Sequence, residues 1–446
     1  MLLNILKQTV ANRRVLLLGF GREGRALYRR IVQVGGYSAL GIADQATIPD
    51  APEGVALHIG DDYQKAMYDY HIVFKSPGIV LETPPEQLPC TVTSLTAIFL
   101  KAYRNQCIGI TGTKGKSTTS SLLYHVLQTA GVPSVLGGNI GIPMADLYEQ
   151  ITPETVIVLE IGVHQLEYTT VSPKIAVFLN LFEEHLDHYG TFAYYAYCKE
   201  NIYRHQQAGD LLLCGEPSLP RAGDCLADVM HIAMDDQSAD ISLHDGTIVR
   251  CREFSMELPQ TMSLTGLHNR LNCAVVYALA HRLGVADEKI AEGIATFQPL
   301  PHRLEMLGEC DGIRWVNDSI STACETCIQA LCSLKDTDTV LIGGMDRGIS
   351  YEPLLDYLKT SAVQHIILMS DSGKRISEEA EPYGSILTDR IFTVKNLTEA
   401  VALAKQITQK GKIALLSPAA ASYNEYKNFE VRGEHFRSLV FATDAN

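Results

Sequence analysis

The chain has 446 residues, which is too long for one ordinary hydrophobic core and predicts two to four domains. Its formal net charge is −14 and its basic residues form no cluster, so nucleic acid is excluded as the main partner. The eleven cysteines are scattered without the paired spacing of a zinc site, which favours free thiols. No apolar run is long enough for an export signal or a membrane span, so we expect a cytoplasmic protein.

The first predicted elements form a nucleotide-binding pattern. An apolar strand at residues 15–18 is followed by Gly-Phe-Gly-Arg-Glu-Gly at positions 19–24 and by a helical segment at residues 25–34. A second strand ends at Asp44, about 20 residues further on, as the GxGxxG pattern of Rossmann folds requires. A third strand, at residues 72–75, ends in Ser-Pro-Gly-Ile at positions 76–79. The motif alone suits NAD, and it suits a nucleoside diphosphate sugar equally well.

The most specific motif opens the second predicted domain. Residues 107–110 form an apolar run, residues 112–117 read Gly-Thr-Lys-Gly-Lys-Ser, and a helical period begins at Ser117. A strand, a glycine-rich turn and Gly-Lys-Ser at a helix start are typical of a phosphate-binding P-loop. Backbone N–H groups and the helix N-terminus favour an anion there, and Lys116 adds a full positive charge. The spacing from Gly112 to Gly115 is shorter than in the full P-loop pattern, and a plain glycine-rich turn is the alternative.

Acidic and histidine side chains follow the next two predicted strands. The strand at residues 155–159 ends in Glu160, where a P-loop protein places a Mg²⁺-binding carboxylate. The strand at residues 175–179 leads into residues 180–188, which are rich in histidine and carboxylate. A solvated helix start is the alternative interpretation of that segment. Lys199 lies on the following helix, where composition by itself favours a surface lysine.

The last predicted domain follows a proline-punctuated linker at residues 299–303. A helix at residues 273–283 precedes the linker, and strands at residues 313–316, 340–342, 365–369 and 413–416 alternate with helical stretches after it. Such alternation is typical of a parallel α/β domain. The sequence therefore predicts an α/β protein with domains at residues 1–100, 101–300 and 301–446.

The order of the motifs resembles that of the Mur ligases, the ATP-dependent amide-forming enzymes of bacterial peptidoglycan synthesis. The matching segments are Gly-Thr-Lys-Gly-Lys-Ser-Thr at 112–118, Gly-Gly-Asn-Ile-Gly at 137–141, Gly-Leu-His-Asn-Arg-Leu-Asn at 266–272, Pro-His-Arg at 301–303 and Asn-Asp-Ser at 317–319. Residues 76–79 and 416–433 resemble the branch that joins glutamate to UDP-N-acetylmuramoyl-L-alanine. The resemblance covers essentially the whole chain. It implies a ligase that adds D-glutamate through an acyl phosphate.

The resemblance also implies a fold and a role for each domain. It implies a Rossmann-like N-terminal domain that binds the UDP substrate, a central P-loop domain that binds ATP, and a Rossmann-like C-terminal domain that binds glutamate. Small-molecule substrates are then the only partners expected, with no nucleic acid and no membrane, and the protein is expected to be a monomer.

Individual residues take their implied roles from the same resemblance. The ATP-binding set is Gly112, Thr113, Lys114, Gly115, Lys116, Ser117, Thr118, Asn269, Arg303 and Asp318. Two Mg²⁺ ions are implied at Ser117, Glu160, His185 and Lys199, and the catalytic set is Lys116, His185 and Lys199. Lys199 is expected as a carbamate, which replaces its interpretation as a surface residue. The UDP-substrate set is Gly21, Arg22, Glu23, Gly24, Asp44, Ser76, Asn139, Gln165 and His185. The glutamate set is Thr322, Arg347, Ser422 and Phe429.

The chain departs from the family pattern at several of these places. Lys114 replaces an asparagine, Gly162 and Val163 replace two serines, Ile320 replaces a lysine, and Asp346-Arg347 stands where another lysine is expected. The last two changes touch the glutamate side and leave open a ligase that adds L-glutamate. An NAD-dependent oxidoreductase would account for the first glycine motif but not for Gly-Lys-Ser-Thr. An inactive binding module is disfavoured because the phosphate and metal positions are all present.

Overall fold

The computed structural model describes residues 1–140, 142–183, 186–216, 218–221, 223–252, 254–264, 266–298, 301–346 and 348–442. The chain forms two compact units, Met1–Phe297 and Gln298–Asn446. Over the described residues, the first unit contains two β-sheets and the second contains one. The predicted α/β class is confirmed, while the three domain ranges remain a prediction.

The first sheet has five parallel strands in the order β3-β2-β1-β4-β5. Its strands are β1 (Arg14–Leu18), β2 (Ala39–Asp44), β3 (Ala56–Ile59), β4 (Ile72–Lys75) and β5 (Thr91–Thr93), and its helices are α1 (Leu2–Val10), α2 (Arg22–Val34) and α3 (Leu95–Tyr103). The order reverses between β1 and β4, and ligands of open α/β sheets bind at the carboxyl ends of such strands. The predicted glycine turn and the Ser76 loop follow these two strands.

The second sheet has nine strands in the order β14-β13-β12-β11-β10-β9-β6-β8-β7. The strands are β6 (Cys107–Thr111), β7 (Ser134–Gly138), β8 (Val156–Glu160), β9 (Ile175–Phe178), β10 (Leu211–Gly215), β11 (Asp228–Met234), β12 (Ile241–His244), β13 (Ile248–Cys251) and β14 (Phe254–Glu257). The helices are α4 (Lys116–Thr129), α5 (Met144–Leu147), α6 (Val163–Leu166), α7 (Leu186–Tyr189), α8 (Phe192–Glu200), α9 (Leu267–Arg282) and α10 (Asp287–Thr296). Strand β6 lies between β8 and β9, so the P-loop is at a reversal of strand order.

The third sheet forms the core of the second unit, in the order β15-β16-β20-β17-β18-β19. Its strands are β15 (Glu305–Cys310), β16 (Ile313–Asn317), β17 (Thr337–Gly343), β18 (His365–Met369), β19 (Ile391–Val394) and β20 (Ile413–Leu416). Its helices are α11 (Cys324–Ser333), α12 (Glu352–Thr360), α13 (Ser370–Ala380), α14 (Ser385–Thr388), α15 (Leu397–Ile407) and α16 (Phe429–Phe441). Only β15 runs antiparallel within this sheet of described strands.

The central parallel strands of each sheet are apolar because both of their faces are buried. Strand β6 is buried along its whole length, as its unbroken apolar run predicts. Several helices begin earlier than the sequence periodicity suggests, because their first turns are polar: α2 begins at Arg22 and α9 at Leu267. None of the described helices is both long and apolar enough to span a bilayer.

The eleven cysteines form no disulfide in the described structure, and most of them are buried. Seven are buried and three half-buried, and Cys332 is exposed. The thiols therefore serve as packing residues in this fold.

Candidate active site

The predicted P-loop joins β6 to α4 and needs glycine at both ends. Gly112 and Gly115 have φ angles of +151° and +84°, which L side chains rarely adopt. A Cβ on Gly112 would lie 3.1 Å from Leu179 Cβ, and one on Gly115 would lie 3.1 Å from Asn272 Oδ1. The turn is thus packed tightly, with Ser117 and Thr118 buried in the first turn of α4.

Asn180 clamps this loop, a role that the sequence reasoning missed. Its Oδ1 accepts from Lys114 N at 2.8 Å, and its Nδ2 donates to Lys114 O at 3.0 Å. Its own carbonyl accepts from Thr113 N at 3.0 Å. Asn180 follows β9, and the parallel pairing of β9 with β6 brings it to the loop. The lysine that departs from the family pattern therefore has a firmly held backbone.

Two lysines converge on one carbonyl of the loop. Lys116 Nζ donates to Gly112 O and Thr113 O, both at 2.9 Å. Lys199 Nζ donates to the same Gly112 O at 2.7 Å, and Lys199 is only 1% exposed. The surface position that composition favoured for Lys199 is therefore wrong. A half-buried lysine, Lys116, and a buried one, Lys199, lie beside the N-terminus of α4, and their positive charges attract anions to this edge of the sheet.

Glu160 faces the same edge and has one unsatisfied oxygen. It is paired with Ile110 in the β6–β8 register and is 1% exposed. Asn139 Nδ2 donates to Glu160 Oε1 at 2.7 Å, while Oε2 is buried without a hydrogen-bond partner in the described structure. A buried carboxylate oxygen of this kind fits a Mg²⁺ ion, which takes few protein ligands and completes its shell with water and phosphate.

The remaining metal ligands predicted from the sequence fit this site only in part. Ser117 is buried at the start of α4, whereas His185 lies outside the described residues. Within the described ranges, no group of three or more His, Cys, Asp or Glu side chains is arranged to hold a metal. The donors present are a hydroxyl, a carboxylate and Lys199, whose modification as a carbamate would supply oxygen ligands.

Asn272, on α9, lies against the P-loop and also contacts Asn269. Asn272 Nδ2 donates to Asn269 Oδ1 at 3.4 Å, and Asn272 Oδ1 is the atom nearest to a Cβ built on Gly115. The predicted nucleotide residue Asn269 is therefore linked to the phosphate loop through a neighbour that the sequence reasoning did not select.

The glycine turn after β1 is held by an aspartate and a serine. Asp44 Oδ2 accepts from Phe20 N at 2.8 Å, and its Oδ1 accepts from Ala46 N at 3.0 Å. Ser76 Oγ donates to Gly19 O at 3.0 Å. A Cβ on Gly24 would lie 2.3 Å from Gly19 O, whereas one on Gly21 would meet nothing within 4 Å. The open side of the turn is therefore at Gly21 and the exposed Arg22.

Glu23 connects this turn with the second sheet. Gln165 Nε2 donates to Glu23 Oε1 at 2.7 Å, and Gln165 Oε1 accepts from Gly162 N at 3.0 Å. Burial raises the pKa of Glu23 above its ordinary value. Gly162 in turn lies against Asn139, the partner of Glu160. The structure thus brings together four of the residues predicted for the UDP substrate and the metal, namely Glu23, Asn139, Glu160 and Gln165.

A buried ion pair lies beside this connection. Lys75, at the end of β4, is 3.1 Å from Glu167, and the two side chains are 3% and 4% exposed. His188 Nε2 is 3.4 Å from the same Glu167 oxygen. Burial lowers the pKa of Lys75, and the Glu167 charge opposes that shift. Neither Lys75 nor Glu167 was selected as a site residue from the sequence.

The predicted nucleotide residues of the second unit lie at the carboxyl ends of β16 and β20. Ser417 Oγ donates to Asp318 Oδ2 at 2.8 Å, and Leu304 N donates to Asp318 Oδ1 at 3.2 Å. Burial raises the pKa of Asp318 to about 7, and the nearby Arg303 charge opposes the shift. Arg303 and Asp318 are therefore neighbours, as two residues serving one ligand should be.

The predicted glutamate residues share that end of the third sheet. Ser422 is 3% exposed, and its carbonyl accepts from Tyr426 N at 2.8 Å. Ser319 Oγ donates to Phe429 O at 2.9 Å, and Thr322 is half-buried just before α11. Arg347 lies outside the described residues. Asp346, the neighbouring residue that also departs from the family pattern, forms a salt bridge with Arg375 at 2.9 Å.

Comparison with known proteins identifies the family. Residues 110–280 match the model of the Mur ligase middle domain, and residues 302–420 match that of the Mur ligase glutamate ligase domain. The UDP-N-acetylmuramoylalanine–D-glutamate ligase of Pelotomaculum thermopropionicum is 31% identical over 96% of this chain and 98% of its own length. The UDP-N-acetylmuramoyl-L-alanine–L-glutamate ligase of Salinispora tropica is 33% identical over 96% and 97%.

Solved structures share the fold at low identity. The MurF ligase of Thermotoga maritima, solved in complex with ADP, superposes with a TM-score of 0.58 at 16% identity, covering 98% of both chains. The full-length relatives, the two domain models and the phosphate-loop geometry agree, and the chain belongs to the Mur ligase family.

Proposed function

We propose that the protein is an ATP-dependent ligase that adds D-glutamate to UDP-N-acetylmuramoyl-L-alanine, releasing ADP and phosphate, in peptidoglycan precursor synthesis. The observation that carries the proposal is the edge formed by Lys116, Lys199 and Glu160. A cation, a carboxylate with a free oxygen and a buried lysine that can carry a carbamate suit a Mg²⁺-bound nucleotide whose γ-phosphate is transferred. The Pelotomaculum relative, matched over nearly its full length, supports the same acceptor and amino acid.

The proposed reaction gives specific side chains of this protein a role in stabilising the transferred phosphate. A carboxylate is a poor electrophile, so the alanine carboxyl must first become an acyl phosphate, which the glutamate amine then attacks. Lys116 holds the transferred phosphate oxygens, and the N–H groups at the start of α4 share their charge. Bound Mg²⁺ would supply additional stabilisation of negative charge, held by Ser117, Glu160 and a carbamate on Lys199.

In this proposal, each of the three predicted domains binds one of the three substrates. Domain 1–100 binds the UDP-sugar at the Gly21–Gly24 turn, domain 101–300 binds ATP, and domain 301–446 binds glutamate. The acidic Glu23 within the first turn argues for a ligand that also offers hydrogen-bond donors, as a sugar nucleotide does.

The test supplies purified protein, ATP, Mg²⁺ and UDP-N-acetylmuramoyl-L-alanine with either D- or L-glutamate, and measures phosphate release. We expect release that depends on D-glutamate. No release with either enantiomer would overturn the proposal.

A ligase that adds L-glutamate is the second candidate. The relative from Salinispora tropica, at 33% identity, carries that activity in its name. Ile320, where the family pattern has a lysine, lies on the glutamate side of the chain. Faster turnover with L-glutamate than with D-glutamate in the same assay would select this candidate.

The carbamate on Lys199 has its own test. Lys199→Ala should be nearly inactive and should regain activity with a short carboxylic acid in solution, which replaces the lost oxygen ligands. An active Lys199→Ala variant would remove this part of the proposal.

A further inference from the structure

Arg432, on α16, is a buried arginine bonded to neutral groups. It is 1% exposed. Its Nε donates to Ser319 Oγ at 3.0 Å, its Nη2 donates to Ser319 O at 2.9 Å and to Ala420 O at 3.0 Å, and its Nη1 donates to Ala421 O at 3.4 Å. Each of these acceptors is a carbonyl or a hydroxyl, so the guanidinium is satisfied without an ion pair at these contacts.

The acceptors belong to two loops at the carboxyl end of the third sheet. We name residues 318–321 the β16 loop and residues 417–422 the β20 loop. The β16 loop contains Asp318, predicted to contact the nucleotide, and the β20 loop ends at Ser422, predicted to contact glutamate. Arg432 thus bridges the loops of two different predicted substrates.

The bridge depends on the shape of the guanidinium. A buried charge is tolerated only when its hydrogen bonds are satisfied, and the planar fork of arginine does so in several fixed directions. Burial lowers the pKa of Arg432 to about 10, which leaves the group charged at neutral pH. Lysine would keep the charge but cannot reach both loops in the same geometry.

Without the fork, each loop would lose two hydrogen bonds, but the predicted nucleotide residue of the β16 loop would stay anchored. Asp318 keeps its bonds to Ser417 and Leu304 whatever stands at position 432. The carbonyls of Ala420 and Ala421 both lose a donor, although Met345 N still donates to Ala421 O at 2.8 Å. Ala419 in the same loop has a φ of +51°, a strained angle that needs support from its surroundings.

We propose that Arg432 is a positioning residue that sets the β20 loop, and through it Ser422, for glutamate. The inference rests on the proposed ligase function. It predicts that loss of the fork weakens glutamate binding selectively and leaves the nucleotide and UDP-sugar sites nearly intact.

The test measures steady-state kinetics of Arg432→Lys in the full chain, varying each substrate in turn. The KM for glutamate should rise about ten- to a hundredfold, because charge-assisted hydrogen bonds to the loop are lost. The KM for ATP and for UDP-N-acetylmuramoyl-L-alanine should change less than about threefold.

Arg390 provides a matched control for a purely structural effect. Its guanidinium also donates to carbonyls, those of Leu358, Ser361, Val363 and Ile386, but it precedes β19 at the opposite end of the sheet. Arg390→Lys should lower the thermal stability without changing the KM for glutamate.

Equal effects of Arg390→Lys and Arg432→Lys on all three KM values would overturn the positioning role while leaving the ligase function intact. A wild-type protein without glutamate-dependent phosphate release would instead overturn the proposed function and this inference with it. If Arg432→Lys does not fold, Arg432→Gln keeps a planar amide donor on a shorter, neutral side chain and should still raise the KM for glutamate more than that for ATP. An unchanged ratio there would equally overturn the inference.

Discussion

The first unit contains two strand–glycine turn–helix motifs with similar backbones and different side-chain charges. The turn after β6 points Lys116 and Lys199 at the carbonyl of Gly112. The turn after β1 instead contains Arg22 beside Glu23, so its side-chain charges cancel, and Asp44 accepts a hydrogen bond from Phe20 N. Both turns lead into the N-terminus of a helix, whose positive dipole end favours anions. The charge of the side chains, and not the glycine pattern, therefore decides how strongly each turn attracts phosphate.

The largest effect should come from removing the cation of the β6 turn. Lys116→Ala should reduce phosphate release at least about a thousandfold, because the transferred phosphoryl loses its main positive partner. Lys101→Ala, an exposed lysine on α3, serves as the control and should retain full activity. Activity of Lys116→Ala within tenfold of wild type would mean that the two turns do not differ as argued.

The next effect concerns the ion pair beside the β1 turn. Lys75→Met should lower the free energy of unfolding by about 3–5 kcal/mol, because it leaves Glu167 buried without its cation. Lys75→Met combined with Glu167→Gln should recover a large part of that loss. Urea denaturation of both variants measures the difference. A double variant less stable than Lys75→Met would contradict the ion-pair argument.

The two glycines Gly21 and Gly24 of the β1 turn should differ in how much stability their substitution by alanine costs. Gly24→Ala should cost about 2–3 kcal/mol of stability, since its Cβ would lie 2.3 Å from Gly19 O. Gly21→Ala meets no atom within 4 Å and should change the melting temperature little. Similar melting temperatures for the two variants would show that the turn is not packed as described.

A smaller effect is expected at Asp44. Asp44→Asn weakens two hydrogen bonds to backbone N–H groups, and the KM for the UDP-sugar should rise about five- to thirtyfold. Asp50→Asn, which breaks an exposed contact with Arg25, is the matched control and should leave that KM unchanged. Equal kinetics of the two variants would remove Asp44 from the binding site.

The strands and their ends could be predicted from the sequence because their signals are local. An unbroken apolar run ending in glycines or an acid marks both a central parallel strand and its ligand edge, as at β6 and at Glu160. The family motifs placed the same residues in order. These features lie within a few residues of each other, so periodicity and composition suffice to find them.

The side chains that hold the edges together could not be found in this way. Asn180 clamps a loop 66 residues earlier in the chain, and Arg432 bonds to Ser319 across 113 residues. No local pattern marks such a contact, because either residue read alone is an ordinary polar position. Lys199 illustrates the same limit, since a lysine on a short helix gives no sign of its burial.

The buried cysteines can report local unfolding of the regions that surround them. A thiol reagent should modify Cys332 in the native protein, while the seven buried thiols react only when their surroundings separate. Burial raises the pKa of Cys273 to about 12 and also raises those of Cys107 and Cys214, which lowers their thiolate fraction further. Because buried cysteines pack against all three sheets, the order of their modification would rank the local stability of each sheet without any engineered label.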